Sequence, residues 1–162
     1  MFLSTAFRIF IMRVIRLYYP NIQLSNTENI PKDGPVLIVA NHPNGLLDPL
    51  IICVALDKPV AFMAKSTLFG NPFGRIAMEA FDALPVYRPK DGQDTEQNNK
   101  TFVLARDHLA AKRWLALFPE GTSHSDPSLK PMKTGAARIA LMAEAANDGY
   151  KSVCLNSRGI NN

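Results

Sequence analysis

Several kinds of chemistry are missing from this chain. Its 162 residues hold only two cysteines and three histidines. Cys53 and Cys154 sit in apolar stretches without Cys-x-x-Cys spacing or clustered histidines, so neither a disulfide framework nor a zinc site is signalled. They read as buried thiols in a reducing compartment. No Gly-x-Ser-x-Gly turn is present to carry a serine nucleophile, which argues against a hydrolase of that type. Dense basic runs are absent too. The net charge of +4 comes from scattered lysines and arginines with no aromatic interleaving, a pattern unsuited to tracking a nucleic acid strand. Weak attraction to anionic lipid headgroups or phosphorylated substrates is the more economical reading. No internal repeat or low-complexity tract occurs, and no run approaches the roughly 18 to 20 apolar residues that a membrane span requires.

What is present is enough apolar material for one domain. At 47% hydrophobic, a chain of this length buries roughly 70% of its unfolded surface in a single core. Residues 2–19 are dominated by Phe, Ile, Leu, Met and Val, interrupted by Arg8, Arg13 and Arg16. At about 100° per residue the three arginines share an arc of about 140°, opposite a face carrying Phe7, Phe10, Ile11 and Val14. This suits an amphipathic helix over residues 1–20 lying in a membrane interface. The alternative is a helix packed on the domain core with its arginines in water. A cleavable signal peptide fits less well, because the basic residues are spread through the apolar region.

The remainder, residues 31–162, alternates strands with helices. Continuous apolar runs at 36–40, 60–63, 83–87, 114–118 and 152–155 read as strands, the first covered on both faces. Helices are expected from Asp48 to about Leu56, with Asp48 as N-cap and Pro49 at the first helical position, and over residues 73–81. Two more start at Asp94 or Thr95 and near Lys133, and Phe102, Ala105 and Leu109 share the buried face of the first of these. His108 falls on its solvent side. The alternation implies an α/β fold with a largely parallel central sheet flanked by helices and right-handed crossovers, preceded by the N-terminal amphipathic helix.

Two of these strands end in unusually polar turns. Asn41-His42-Pro43-Asn44-Gly45-Leu46-Leu47-Asp48 follows the first, and Phe118-Pro119-Glu120-Gly121-Thr122 follows the fourth. Polar groups at strand ends are how a site is built on a parallel sheet. A histidine needs a carboxylate to fix its tautomer before it takes a proton from an alcohol, and Asp48 is the nearest candidate to His42. Read alone, His42 in a turn and Asp48 at a helix start would be structural, and the carboxylate could serve both purposes.

The ordered set of segments changes that balance. Asn41-His42 with downstream Asp48, a strand ending in Arg88, and Phe118-Pro119-Glu120-Gly121-Thr122 followed by Lys133-Thr134-Gly135 resemble the blocks of the glycerolipid acyltransferase family, over residues 35–150. Ala64-Lys65-Ser66 and Pro72-Phe73-Gly74 resemble the segment between the first two blocks. The resemblance implies an O-acyltransferase of phospholipid synthesis at the cytoplasmic face of a membrane. Its donor would be acyl-CoA or acyl carrier protein, and its acceptor glycerol-3-phosphate or 1-acylglycerol-3-phosphate, with no metal or bound cofactor. His42 would be the general base oriented by Asp48. Lys65 and Arg88 would bind the acceptor phosphate, and Glu120, with Gly121 and Thr122, would hold the acceptor glycerol or order the cations around it. Backbone amides near Gly45 or Gly121 would be candidate oxyanion donors.

The chain departs from the family pattern in three places. Five residues separate His42 from Asp48 where four are commonest, an excess that Gly45 would absorb in a conformation closed to other side chains. Ser123 and His124 stand where the family usually has an arginine after Gly-Thr. Lys133 is the expected substitute, at the start of a helix whose small residues leave amides open to an anion, although close packing on the sheet explains those residues equally well. The tail, ending at Asn162, reads as truncated, so the catalytic domain over 31–162 is expected to be incomplete at its C-terminus. Hence the second reading: a non-catalytic lipid-surface module or inactive remnant.

Overall fold

In the computed structural model, the described residues are 2–122, 130–146 and 154–157, with the last four and Lys90 described by backbone only. Five parallel strands form one sheet: β1 (Val36–Ala40), β2 (Val60–Lys65), β3 (Leu84–Val86), β4 (Trp114–Leu117) and β5 (Cys154–Ser157). Their spatial order is β3-β2-β4-β1-β5. The helices are α1 (Phe2–Tyr18), α2 (Leu47–Leu56), α3 (Pro72–Ala80), α4 (Asn98–Ala110) and α5 (Gly135–Ala146).

The strand order places the helices. From β1 the chain moves outward through β2 to β3, then returns to insert β4 between β2 and β1 and ends beyond β1. Crossovers of one hand put helices on opposite faces when the direction of travel reverses. Accordingly α2 and the end of α3 pack on one face against Val36, Ile38, Val60, Phe62, Trp114 and Ala116. The other face carries Leu37, Ala61, Leu115 and Leu117, covered by Ala105 and Leu109 of α4 and Ile139 and Ala143 of α5. Successive strand residues thus feed opposite cores, which is why the runs are continuously apolar rather than alternating. Burying each of these larger aliphatic side chains contributes about 1.5–3 kcal/mol.

Element boundaries shift in instructive ways. Asp94 caps a 3-10 turn, its side chain accepting the Glu96 amide proton at 2.9 Å, and α4 follows only from Asn98. β5 is described over Cys154–Ser157; Ser152, Val153 and the Cys154 side chain lie outside the described residues. Cys53 meets the buried-thiol expectation: it is fully buried in α2, and burial pushes its thiol up to about 11 despite the opposing charge of Arg8.

α1 packs one side on the core and leaves a second apolar side exposed. Phe7, Ile11 and Met12 pack on the core and Ile15 is buried, while Phe2, Leu3, Phe10, Val14 and Leu17 stay exposed. The Arg8 guanidinium lies 5.9 Å from the Phe81 ring centre, and Arg16 pairs with Asp57. Among the described residues no helix is long and apolar enough to cross a membrane.

Candidate active site

β1 and β4 are hydrogen-bonded neighbours with Val39 opposite Leu117, so the polar turns that follow them emerge side by side. In the first turn, His42 Nδ1 lies 3.0 Å from Asp48 Oδ2, and both side chains are largely buried, each 14% exposed. The same carboxylate oxygen accepts the backbone N–H of Asn44 at 2.8 Å. A carboxylate held by two partners stays aimed at the ring, and in a neutral imidazole this partner selects the tautomer with the proton on Nδ1 and the lone pair on Nε2.

The route to this contact differs from the helix start expected at Asp48. α2 begins at Leu47, and Asp48 makes no cap bond. Asn44 satisfies the first amides instead, its side-chain oxygen accepting those of Leu46 at 3.4 Å and Leu47 at 3.3 Å. The amide of Asp48 already closes a turn on the Asn44 carbonyl at 3.1 Å. The extra residue between His42 and Asp48 is thus absorbed by entering the helix early, which frees the carboxylate to reach back. Gly45 is not among the left-handed glycines of the described chain, which are Gly34, Gly92 and Gly121.

The second turn holds the first. Glu120 is 5% exposed, and its Oε1 accepts the backbone N–H of His42 at 3.0 Å. The Phe118 ring lies flat against the imidazole, centroids 3.9 Å apart and planes 11° apart. Neither contact was legible beforehand, because each joins residues far apart in sequence; the strand pairing that makes them is the only signal that would have found them.

The cations are arranged around this pair. Arg88, just after β3, donates from Nε to Asp91 at 2.6 Å and from Nη1 to the Gly121 carbonyl at 3.3 Å, so it ties the end of β3 to the turn after β4. Asp91 is a further residue that sequence reasoning missed; its position three residues on, in the turn Arg88-Pro89-Lys90-Asp91-Gly92, was the available signal. Gly121 turns with φ +68°, and a Cβ there would lie 2.6 Å from Lys133 Nζ, so the Lys133 ammonium rests against this turn. Its backbone N–H also bonds the Pro119 carbonyl at 2.9 Å. Lys133 precedes α5 by two residues instead of opening it.

Lys65 ends β2 opposite Val86, two residues before Arg88, with its side chain exposed and, among the described residues, in no hydrogen bond or ion pair. Thr122 is half-buried beside Gly121. The Gly121 amide donates to the Phe118 carbonyl at 3.0 Å, which removes it from the candidate oxyanion donors. Ser123 and His124 lie outside the described residues. His108, expected on the solvent side of its helix, is half-buried with Nε2 3.2 Å from the Trp114 carbonyl, at the opposite end of the sheet.

Comparison with known proteins gives concordant results. A family model described as Acyltransferase matches residues 21–153. The chain is similar to 1-acyl-sn-glycerol-3-phosphate acyltransferases of Bacillus subtilis, 30% identical over 83% of the chain and 63% of the relative, and of Borreliella burgdorferi, 29% identical over 74% and 46%. A 54-residue stretch is 48% identical to glycerol-3-phosphate O-acyltransferase 2 of Saccharomyces cerevisiae, covering 33% of the chain and 7% of that protein. The chain spans about half the length of most of these relatives. Its fold matches the crystal structure of the 1-acyl-sn-glycerophosphate acyltransferase PlsC of Thermotoga maritima, with a TM-score of 0.61 at 21% identity, over 86% of the chain and 53% of that protein.

Proposed function

Because the chain belongs to the acyltransferase family, we propose that it moves a fatty acyl group from a thioester donor, acyl-CoA or acyl carrier protein, to a hydroxyl of a phosphorylated glycerol. The observation that carries this reading is the His42–Asp48 contact of 3.0 Å beside a turn rich in cationic contacts. In the reaction, Nε2 of His42 takes the acceptor's hydroxyl proton as the oxygen attacks the thioester carbonyl. Asp48 balances the imidazolium that forms. The tetrahedral intermediate then expels the thiolate, which recovers the proton from Nε2. Such acid–base assistance is worth about 10² to 10⁴ in rate. The acceptor attacks directly, so the step calls for no enzyme nucleophile and no bound cofactor.

Arg88 and Lys133 touch the turn after β4, and Lys65 ends the neighbouring strand β2; together they supply the charge for the acceptor's phosphate, Arg88 through the part of its planar fork not engaged by Asp91 and Gly121. Glu120, Gly121 and Thr122 shape the acceptor's seat. Lysophosphatidate is the favoured acceptor, since it is the one named for the relatives matched over most of the chain; glycerol-3-phosphate is the alternative, supported by the shorter yeast match. The exposed stripe of Leu3, Phe10, Val14 and Leu17 on α1, with Phe2, seats the molecule on the cytoplasmic face of a membrane, where an acyl-chain substrate resides.

The test is thiol release from acyl-CoA with each acceptor in turn. Release that requires acceptor and falls at least about 100-fold in His42→Ala supports the enzyme. A folded, vesicle-binding protein with no turnover in its full-length form would establish the non-catalytic lipid-surface module instead.

A further inference from the structure

His42 is gripped by the turn after β4 from two sides, and only one of them is a polar contact. Glu120 fixes the backbone through the His42 N–H at 3.0 Å. Phe118 acts on the ring itself, parallel to it within 11° and centred 3.9 Å away. Phe118 in turn packs against the apolar core formed by β1, β2, β4 and their covering helices, so it is a fixed platform rather than a mobile lid. A stack of this kind covers one face of the imidazole and leaves both nitrogen edges clear. Nδ1 is taken by Asp48, and Nε2 is aimed by the plane that Phe118 defines.

The stack also has a chemical consequence. An aromatic face carries negative quadrupolar charge and attracts a cation lying over it. An imidazole acting as general base is neutral when it accepts a proton and positively charged once it holds one. The attraction is therefore stronger in the transition state than in the ground state, which is the condition for an interaction to raise turnover rather than affinity.

We propose that Phe118 is a positioning residue for the base: it sets the plane of the His42 ring and favours the imidazolium that forms on it. This rests on the reading of His42 as the general base. Phe118 acts through the His42 ring, so its loss is expected to change kcat and to leave KM for donor and acceptor in place.

The experiment compares Phe118→Leu, Phe118→Met, Phe118→Tyr and Phe118→Trp in the full chain. Leu and Met keep apolar bulk without a π face; Tyr and Trp keep the face. Leu and Met are expected to lower kcat about tenfold with KM unchanged, and Tyr or Trp to restore most of the loss. Proton NMR reads the stack independently of turnover: the His42 ring protons, identified by their disappearance in His42→Ala, lie upfield under the Phe118 ring current and move downfield in Phe118→Leu or Phe118→Met. Should Leu not fold, Met, the more adaptable filler, carries the comparison. Wild-type kcat in the non-aromatic variants, or His42 resonances that do not move, overturns the proposal. A wild-type protein without acyl transfer would overturn the functional reading instead, with the resonance shift still deciding whether the platform exists.

Discussion

Two histidines stand at opposite ends of β4, and their surroundings differ in nearly every respect. His42 lies against Phe118, the residue after the strand, with a carboxylate oxygen 3.0 Å from Nδ1. His108, near the end of α4, points Nε2 at the carbonyl of Trp114, the strand's first residue, 3.2 Å away. Burial holds His108 below the ordinary histidine range, the Trp114 carbonyl only partly opposing it, with smaller contributions from Arg113 and Asp82 of opposite sign. A carboxylate gives an imidazolium a counter-charge when it forms, whereas a backbone carbonyl anchors the ring and offers only a dipole. The cations divide the same way. Arg88 and Lys133 gather at turns following strands. Lys58, Lys112 and Arg113 follow the C-termini of α2 and α4, where helix carbonyls favour positive charge, and Lys58 lies 4.5 Å from the Trp114 ring centre. Residue type alone does not separate the two ends; what each side chain faces does.

Asp48→Asn tests this contrast most severely. One oxygen serves both Asn44 and His42, so asparagine fills its place either with NH₂, which gives up the Asn44 amide and moves the histidine proton to Nε2, or with its carbonyl oxygen, which keeps both contacts but offers the imidazolium no counter-charge; either way the base is lost or weakened, while the Asn44 side chain still starts α2. Turnover should fall by about 10² to 10⁴ with the melting temperature little changed. The matching His108→Gln change should leave kcat intact. If both variants turn over like wild type, the two histidines are equivalent and the assignment of His42 as base is wrong.

The cations give a second, smaller contrast. Arg88→Ala should raise KM for the phosphorylated acceptor about 10- to 100-fold, because a charge-assisted pair to phosphate is among the stronger hydrogen-bonded contacts. High salt should shrink the difference. Lys58→Ala removes a cation from the other end, and should leave KM alone while costing about 0.5–1 kcal/mol in chemical denaturation from the lost Trp114 contact. Equal KM effects from both variants would mean that general positive charge, rather than the strand-end turns, attracts the acceptor.

How much of this was written in the sequence depends on distance along the chain. The five strands and the helices between them were legible because each is a local pattern, and Val36, Leu37 and Ile38 alternate between two cores as a doubly covered strand requires. The His42–Asp48 pair was legible for the same reason, lying within a single turn. Its geometry was misjudged because Asp48-Pro49 is a strong helix-start signal locally, yet the carboxylate gains more from His42 and Asn44 than from capping. Glu120 and Phe118 could be named as parts of a block but not as supports for His42, since β1 and β4 become neighbours only when the chain reverses direction across the sheet. On α1 the periodicity announced an apolar face without saying that it is split, Phe7, Ile11 and Ile15 turning to the core and Leu3, Phe10 and Leu17 outward.

The smallest effect expected concerns His108 and is one of stability. Because burial lowers its proton affinity in the folded protein, the unfolded chain takes up a proton first as the pH falls past the ordinary histidine value of 6.5. Protonation then favours unfolding, so this group's contribution is present above that value and declines below it. At pH 8 both states hold a neutral ring and the contribution is flat. His108→Gln keeps an N–H for the Trp114 carbonyl and carries no titrating group, so its urea midpoint should fall less than that of wild type between pH 7.5 and pH 5.5. Carboxylates titrate in both proteins and cancel in the difference. A variant that loses midpoint in parallel with wild type would show that His108 accepts its proton as readily when folded, and burial would then not distinguish it from a histidine in water.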